Sequence, residues 1–423
     1  MIIPSIDLIQ GRAVQLRRGR DFVLDGGDPL VRLEEFAVAG EVAVVDLDAA
    51  LDRGSNAALI REMVRRAPCR VGGGIRDLDA ARAWLDAGAA RVVIGTAASL
   101  DFCGALPRER VIAAVDAERG RVVVEGWRTA TGASALERIR ELAPVVGGFL
   151  FTQVEREGAM AGFDFRAVVA AARAAGETRL TAAGGITTSA EIADLDHIGA
   201  DAQVGMALYT GRLPLGEAVA APLAKPLAGE VWPTLVCDEW GRALGLVWST
   251  RESLARAVAE RRGIYWSRSR QALWVKGATS GNTQELLRVD LDCDRDALRF
   301  TVRQQGAGFC HLERRSCWPS RFDLDDLART ISELAARPEP GSGTARLLAD
   351  PALLTAKLQE EAAELGRTTG RGDAVHETAD VIYLALVALV RAGGRLADVV
   401  AELSRRRGAV TRRPMAAKAE TAR

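Results

Sequence analysis

Histidine is scarce in this chain, three residues among 423, and no apolar run approaches the roughly 20 residues needed to cross a bilayer. A metal site must therefore draw on thiolates or carboxylates, and no membrane span is expected. Cysteine is sparse too. Cys69, Cys103, Cys237, Cys293, Cys310 and Cys317 are too scattered for a disulfide scaffold, although the last three lie close enough in sequence to suggest a metal. Neither sign of charge is in excess: Lys plus Arg and Asp plus Glu number 56 each, so no global field favours nucleic acid or an anionic membrane. Anionic substrates need local sites. Met1 leads straight into the strand-like IIPSID without the basic and apolar regions of a signal peptide, which points to a cytoplasmic setting.

With 48% hydrophobic and 26% charged residues, the chain has material for two or three cores. Over residues 1–225, short apolar runs at 2–7, 42–47, 69–72, 91–95, 111–115, 148–152, 179–183 and 201–204 alternate with helix-like stretches. Eight βα units are the number that closes a parallel barrel, so an α/β fold, a (β/α)8 TIM barrel, is expected. The halves echo each other, VGGGIRDLDAARAWLDAGAARVVIGTA at 71–97 returning loosely as AAGGITTSAEIADLDHIGADAQVGMAL at 182–208. Such a repeat suggests a ligand with matching groups at both ends.

Active sites of these barrels lie at the C-terminal strand ends, where Asp7 and Asp116 end the first and fifth runs on opposite sides of the mouth. Two facing carboxylates can serve as general base and general acid when their surroundings separate their pKa values; each could instead cap a helix or pair with an arginine. Glycines supply candidate phosphate sites: Gly74, Gly95 and Thr96 after the third and fourth runs, and Gly184, Gly185 and Gly205 after the seventh and eighth. Two such sites imply a bisphosphorylated ligand.

The motifs IIPSIDLIQGRAVQL, VDLDAA, VGGGIR, VVIGTAA, the GW at 126–127 and AAGGI resemble the phosphoribosyl isomerase (ProFAR isomerase) of histidine biosynthesis over about 220 residues. The resemblance implies a metal-free Amadori rearrangement of ProFAR, an aminoaldose bearing two phosphates, to the aminoketose PRFAR. Asp7 would be the base, Asp116 the acid that helps open the ribose ring, and Thr152 a supporting hydroxyl. Three positions depart from the family: Gln153 replaces an acidic residue, Glu157, Gly158 and Ala159 replace DGT, and Met206 replaces an arginine. These substitutions leave two further readings of the barrel, a retuned isomerase taking a related substrate of tryptophan synthesis or a non-catalytic scaffold.

A proline-broken linker, AAPLAKPLAGEVWP, precedes a second region at 232–319, rich in tryptophan and in strand-like alternation and read as a small β-rich α+β zinc domain. Its Cys293, Cys310 and Cys317 form a three-thiolate set that suits a catalytic Zn²⁺ with one open position, and the interleaved Asp292, Asp294 and Asp296 are hard ligands for Mg²⁺. These residues, with YWSRSRQALWVKGATSGNTQ and RRSCW, resemble phosphoribosyl-AMP cyclohydrolase, although Ala278 stands where that family has glutamate. The resemblance implies that a zinc-activated water opens the adenine ring. His311, next to a cysteine, could orient water or substrate, or could be a hydrogen-bonded structural residue.

Residues 323–409 read as helices. Glu360, Glu361 and Glu364 on one helix, beside Lys357, and Glu377 and Asp380 on another could bind Mg²⁺ between them. KLQEEAAE and HETADVIYLALVAL, with GSGTARLLAD upstream, resemble the all-α MazG-like phosphoribosyl-ATP pyrophosphohydrolase, with Gly343 where a tyrosine is usual. That family usually needs a partner helix pair, so a homodimer is expected. Residues 410–423 form a basic tail expected to be disordered. Taken together, the resemblances imply a trifunctional enzyme acting on phosphoribosyl nucleotides, with Zn²⁺ and Mg²⁺ as cofactors and neither nucleic acid nor membrane as partner.

Overall fold

A computed structural model describes residues 1–224, 230–319 and 322–411. All eight expected runs form barrel strands: Ile2–Ile9, Val42–Asp46, Cys69–Gly72, Arg91–Ile94, Val111–Glu118, Gly148–Gln153, Arg179–Ala183 and Ala200–Val204. Neighbours pair in parallel around the ring, and the pairing of the fifth strand with the sixth closes it. Strands covered on both faces need unbroken apolar runs rather than alternation. The sixth shows this directly, since every residue of Gly148–Gln153 is buried.

The repeat seen in the sequence recurs in the backbone. Asp77 caps the helix Leu78–Ala87 by accepting from the Ala80 amide, and Thr188 caps Ser189–His197 by accepting from the Glu191 amide. Gly73 and Gly184 both have positive φ, and a Cβ on either would strike the backbone of the residue ending the preceding strand, Asp46 or Gln153.

Sequence periodicity misses two hairpins. Arg12–Arg17 with Asp21–Gly27 extends the first strand, and Arg121–Val124 with Thr129–Ser134 extends the fifth. Thr129–Ser134 is almost wholly exposed, so it carries no apolar alternation to reveal it. Both rise beside a candidate aspartate.

The following region forms a six-stranded sheet, in the order Ala272–Val275, Ile264–Ser267, Ala243–Ser249, Trp232–Cys237, Leu298–Gln304, Gln284–Leu291. It does not stand apart from the barrel: residues 1–318 make one compact unit. A single buried cluster runs from Phe149 and Leu180 of the barrel to Val236 and Phe300 of this sheet. The helix Leu215–Ala220 lies against Arg251–Glu260, where a Cβ on Gly216 would come within 2.5 Å of the Ala255 Cα. Arg251 donates to the carbonyls of Ala220 (2.7 Å) and Leu223 (3.3 Å), and the Trp232 indole donates to that of Ala224 (3.0 Å).

Residues 319–407 form a second compact unit with helices Leu324–Ala336, Gly343–Ala349, Pro351–Leu365 and Arg371–Arg391, followed by Leu396–Gly408. Its buried core is small, built on Ala328, Ile331, Leu354, Leu384, Leu386 and Val387. Of the expected tail, the Val410 and Thr411 amides donate to Asp86, and 412–423 lie outside the described residues, as do 225–229 of the linker. Among the described residues no helix is long and apolar enough to cross a membrane.

Replacing Gly216 by Val should force the two helices apart and cost about 2 kcal/mol, as overpacking of a close contact does. Denaturant unfolding should show the loss, and Gly216→Ala should cost less.

Candidate active sites

At the barrel mouth, Asp7 pairs in register with Val45 of the second strand, and Asp116 with Thr152 of the sixth. Their strands are four apart in a ring of eight, so the two carboxylates arise on opposite sides. Burial pushes the Asp7 carboxyl up to about 7. Burial also raises Asp116, while hydrogen bonds from the Thr152 hydroxyl and the Trp127 indole pull it back.

A third carboxyl joins them. Glu157 is pushed up to about 8, mostly by burial and then by the charges of Asp7 and Asp116. The chain places it there by docking the loop after the sixth strand on the first hairpin: the Arg18 amide donates to the Glu157 carbonyl at 3.1 Å. Gly158, with positive φ, sits where a Cβ would strike the Leu16 carbonyl. In the sequence Glu157 registered only as a departure from DGT. Its signal was an acidic residue before a glycine, shortly past a strand end.

Trp127 was legible only as part of a GW pair. Glu125, Gly126 and Trp127 are all left-handed, and the Glu125 amide is held by the Thr96 hydroxyl at 3.1 Å. Left-handed backbone at the two non-glycine residues costs about 1 kcal/mol or more each, so the loop must be held by its contacts. Among these, the indole ring packs on Gly19 and its N–H reaches Asp116. The Tyr209 hydroxyl is buried without a hydrogen-bond partner, and burial and the charge of Asp7 both raise its pKa.

The expected phosphate-binding glycines stand at the mouth. A Cβ on Gly95 would meet open space, Gly205 opens the short helix Met206–Tyr209, and Gly184 and Gly185 precede Ser189–His197 with positive φ. Gly74, also at positive φ, abuts Ala49. Gln153 donates to the Asp164 carbonyl (2.9 Å) and accepts from its amide (2.7 Å), while Met206 is buried. An amide can make both bonds, whereas a carboxylate only accepts, which explains why glutamine suits this position.

In the six-stranded region, Cys310 and Cys317 come together across a tight knuckle in which the Cys310 amide donates to the Arg314 carbonyl at 3.0 Å. Lys276, which sequence reading passed over, lies beside both thiols and over the Phe309 ring. The expected three-thiolate set does not assemble within the chain: among the described residues, no third cysteine, histidine or carboxylate gathers with these two. Cys293 is exposed in the turn before the strand Leu298–Gln304, and the knuckle follows that strand's far end. A strand of that length separates its ends by about 20 Å. The donor set of one chain therefore does not fit the expected zinc site. His311 is exposed on the knuckle.

Asp292, Asp294 and Asp296 do gather, with ligand oxygens within 4.8 Å of one another, as expected for a hard dication. So do Glu361, Glu377 and Asp380 of the helical unit. Glu360 lies outside that group, paired with Lys357 at 2.8 Å, and Glu364 is exposed one turn on, near enough for its charge to act on Glu361. One oxygen of Glu377 is buried without a hydrogen-bond partner, and an ion would satisfy it.

Comparison with known proteins matches residues 1–214 to a family described as "Histidine biosynthesis protein", 245–319 to "Phosphoribosyl-AMP cyclohydrolase" and 324–407 to "Phosphoribosyl-ATP pyrophosphohydrolase". A phosphoribosyl imidazole-4-carboxamide isomerase of Thermus thermophilus is 40% identical over 235 residues, 52% of this chain and 98% of the relative. The histidine biosynthesis trifunctional protein of Kluyveromyces lactis is 48% identical over 185 residues, 43% of this chain and 23% of the relative. That of Saccharomyces cerevisiae is 43% identical over 200 residues, 45% and 25%. The chain thus spans about a quarter of the length of these two fungal relatives.

Burial of Asp7 has a measurable cost. A carboxyl that keeps its proton to about 7 when folded, against an ordinary 3.8, binds protons more tightly folded than unfolded. Stability therefore falls as pH rises between those values and levels off above them. Asp7→Asn should raise the melting temperature at pH 8 relative to the unaltered chain, and by less at pH 5.

Proposed function

We propose that this chain, which belongs to the histidine biosynthesis protein family and carries cyclohydrolase and pyrophosphohydrolase domains after its barrel, catalyses three linked reactions. The helical unit hydrolyses phosphoribosyl-ATP to phosphoribosyl-AMP, the six-stranded region opens the adenine ring to give ProFAR, and the barrel isomerises ProFAR to PRFAR. The observation carrying the barrel reading is the trio Asp7, Asp116 and Glu157, carboxyls buried together at the mouth, with the charges of the first two acting on the third.

In the isomerisation, Asp116, its proton affinity raised by burial, protonates the ribose ring oxygen as the ring opens to an imine. Asp7, ionised in an increasing fraction above about 7, takes the proton from the adjacent sugar carbon, and the resulting enaminol tautomerises to the ketose. Thr152 and Trp127 hold Asp116. The glycine-lined strand ends would receive the two phosphates. Gln153 is engaged by the Asp164 backbone and Met206 is buried and uncharged, so neither adds a charged group that favours a tryptophan-pathway substrate. A purely scaffolding barrel would have no use for three carboxyls held against their own desolvation.

Asp292, Asp294 and Asp296, and separately Glu361, Glu377 and Asp380, would hold Mg²⁺, which in the second case would neutralise substrate phosphates and activate water. For zinc, we infer that Cys293 of a second copy completes the Cys310 and Cys317 pair, making the active form a homodimer. Val399, Val400 and Leu403 form an exposed apolar row on the last helix, consistent with a further face covered by a second copy. Free thiols throughout suit a cytoplasmic setting.

Purified chain given phosphoribosyl-ATP, Mg²⁺ and Zn²⁺ should accumulate PRFAR. Asp7→Asn should stop the sequence at ProFAR, lowering isomerisation about 100-fold or more; unchanged isomerisation would leave the barrel a scaffold. Mixing Cys293→Ser with Cys310→Ser chains should restore part of the ring-opening activity that each lacks alone, because mixed dimers keep one complete site. No recovery would place all three thiols in one chain.

A further inference from the structure

The turn that carries Asp292, Asp294 and Asp296 is tied to the end of the barrel opposite its mouth. Arg295 sits in this turn at φ +66°. Its Nε and Nη2 donate to the two carboxylate oxygens of Asp196, both at 3.0 Å. Its Nη1 reaches back to the Asp292 carbonyl at 2.9 Å, and its own carbonyl accepts from the Ala224 amide at 2.9 Å. The turn is thus fastened to barrel-derived segments by both side chain and main chain.

Asp196 is itself held. It belongs to the barrel helix Ser189–His197, and its Oδ1 accepts from the Met1 amino group at 3.1 Å. That amino group also donates to Asp201 at 3.0 Å, and Asp201 is paired with Arg179. Positive and negative groups alternate from Arg179 to Arg295, so each charge has an opposite one beside it.

Within the turn, one Asp292 oxygen accepts from the Asp296 and Ala297 amides at 3.0 and 3.1 Å. The three carboxylates repel one another at this spacing, and a free turn would relieve the repulsion by opening. The bidentate pair to Asp196 opposes that opening from behind.

We propose that Asp196, a barrel residue, is a positioning residue for divalent-cation binding by Asp292, Asp294 and Asp296, acting through Arg295. This rests on the reading of those carboxylates as a cation site. Outer groups that orient ligands typically change metal affinity by about tenfold to a hundredfold. The barrel floor thereby sets the affinity of a site in the neighbouring region.

The test uses the full chain stripped of metal and titrated with Mn²⁺, bound ion being followed by electron paramagnetic resonance. Asp294→Asn and Asp380→Asn identify the two classes of site by removing one each. Asp196→Asn is expected to weaken the class lost in Asp294→Asn about tenfold, leaving the other class and the melting temperature near those of the unaltered chain. Arg295→Gln should do the same, and the double variant should be no worse than either single one. Unchanged affinity in both single variants overturns the proposal. So does a fall in melting temperature that accompanies the loss in Asp196→Asn while Arg295→Gln binds normally, since Asp196 would then merely hold the barrel together. If Asp294→Asn removes no class, it is the cation-site reading that fails.

Discussion

Closure of the eight-stranded ring is the constraint on which the rest depends. Once the fifth and sixth strands pair, residues 109 positions apart in sequence, Asp7 and Asp116, must face the same mouth. The pairing also sets Thr152 beside Asp116. Desolvation follows from the same closure, because the hairpins and loops that cap the ring have few ways to pack over its end without covering these carboxylates. The raised proton affinities are therefore properties of the architecture, and their energetic cost is met by a barrel whose strands bury most of their apolar residues.

Much of this was legible in the sequence, for identifiable reasons. Buried parallel strands must be continuously apolar, and glycines at tight strand-to-helix turns cannot be replaced without a backbone collision. Those two requirements made all eight strands and the half-barrel repeat readable. The position of each strand end then pointed to Asp7 and Asp116. The chemistry that stayed hidden depends on loops. Glu157 reaches the mouth only because its loop docks on a hairpin more than a hundred residues earlier, and Trp127 only because its loop is left-handed. Neither leaves a periodic trace.

Within one chain the three cysteines do not come together as a set, for a related reason. Spacing along the chain says that Cys293, Cys310 and Cys317 are near one another in sequence, but an extended strand between two of them converts that nearness into separation. Helical spacing was a better guide to Glu361, Glu377 and Asp380, since residues one turn apart stay on one side whatever the tertiary fold. Glu360 stands aside from that group, paired with Lys357 one turn earlier.

The buried cluster shared by barrel and six-stranded sheet bears on how the chain comes apart. Because apolar side chains of both regions pack in one continuous core, the two should lose structure in a single cooperative transition. A cavity opened under Val236 or Phe300 of the sheet is then felt at the barrel strands that share the cluster.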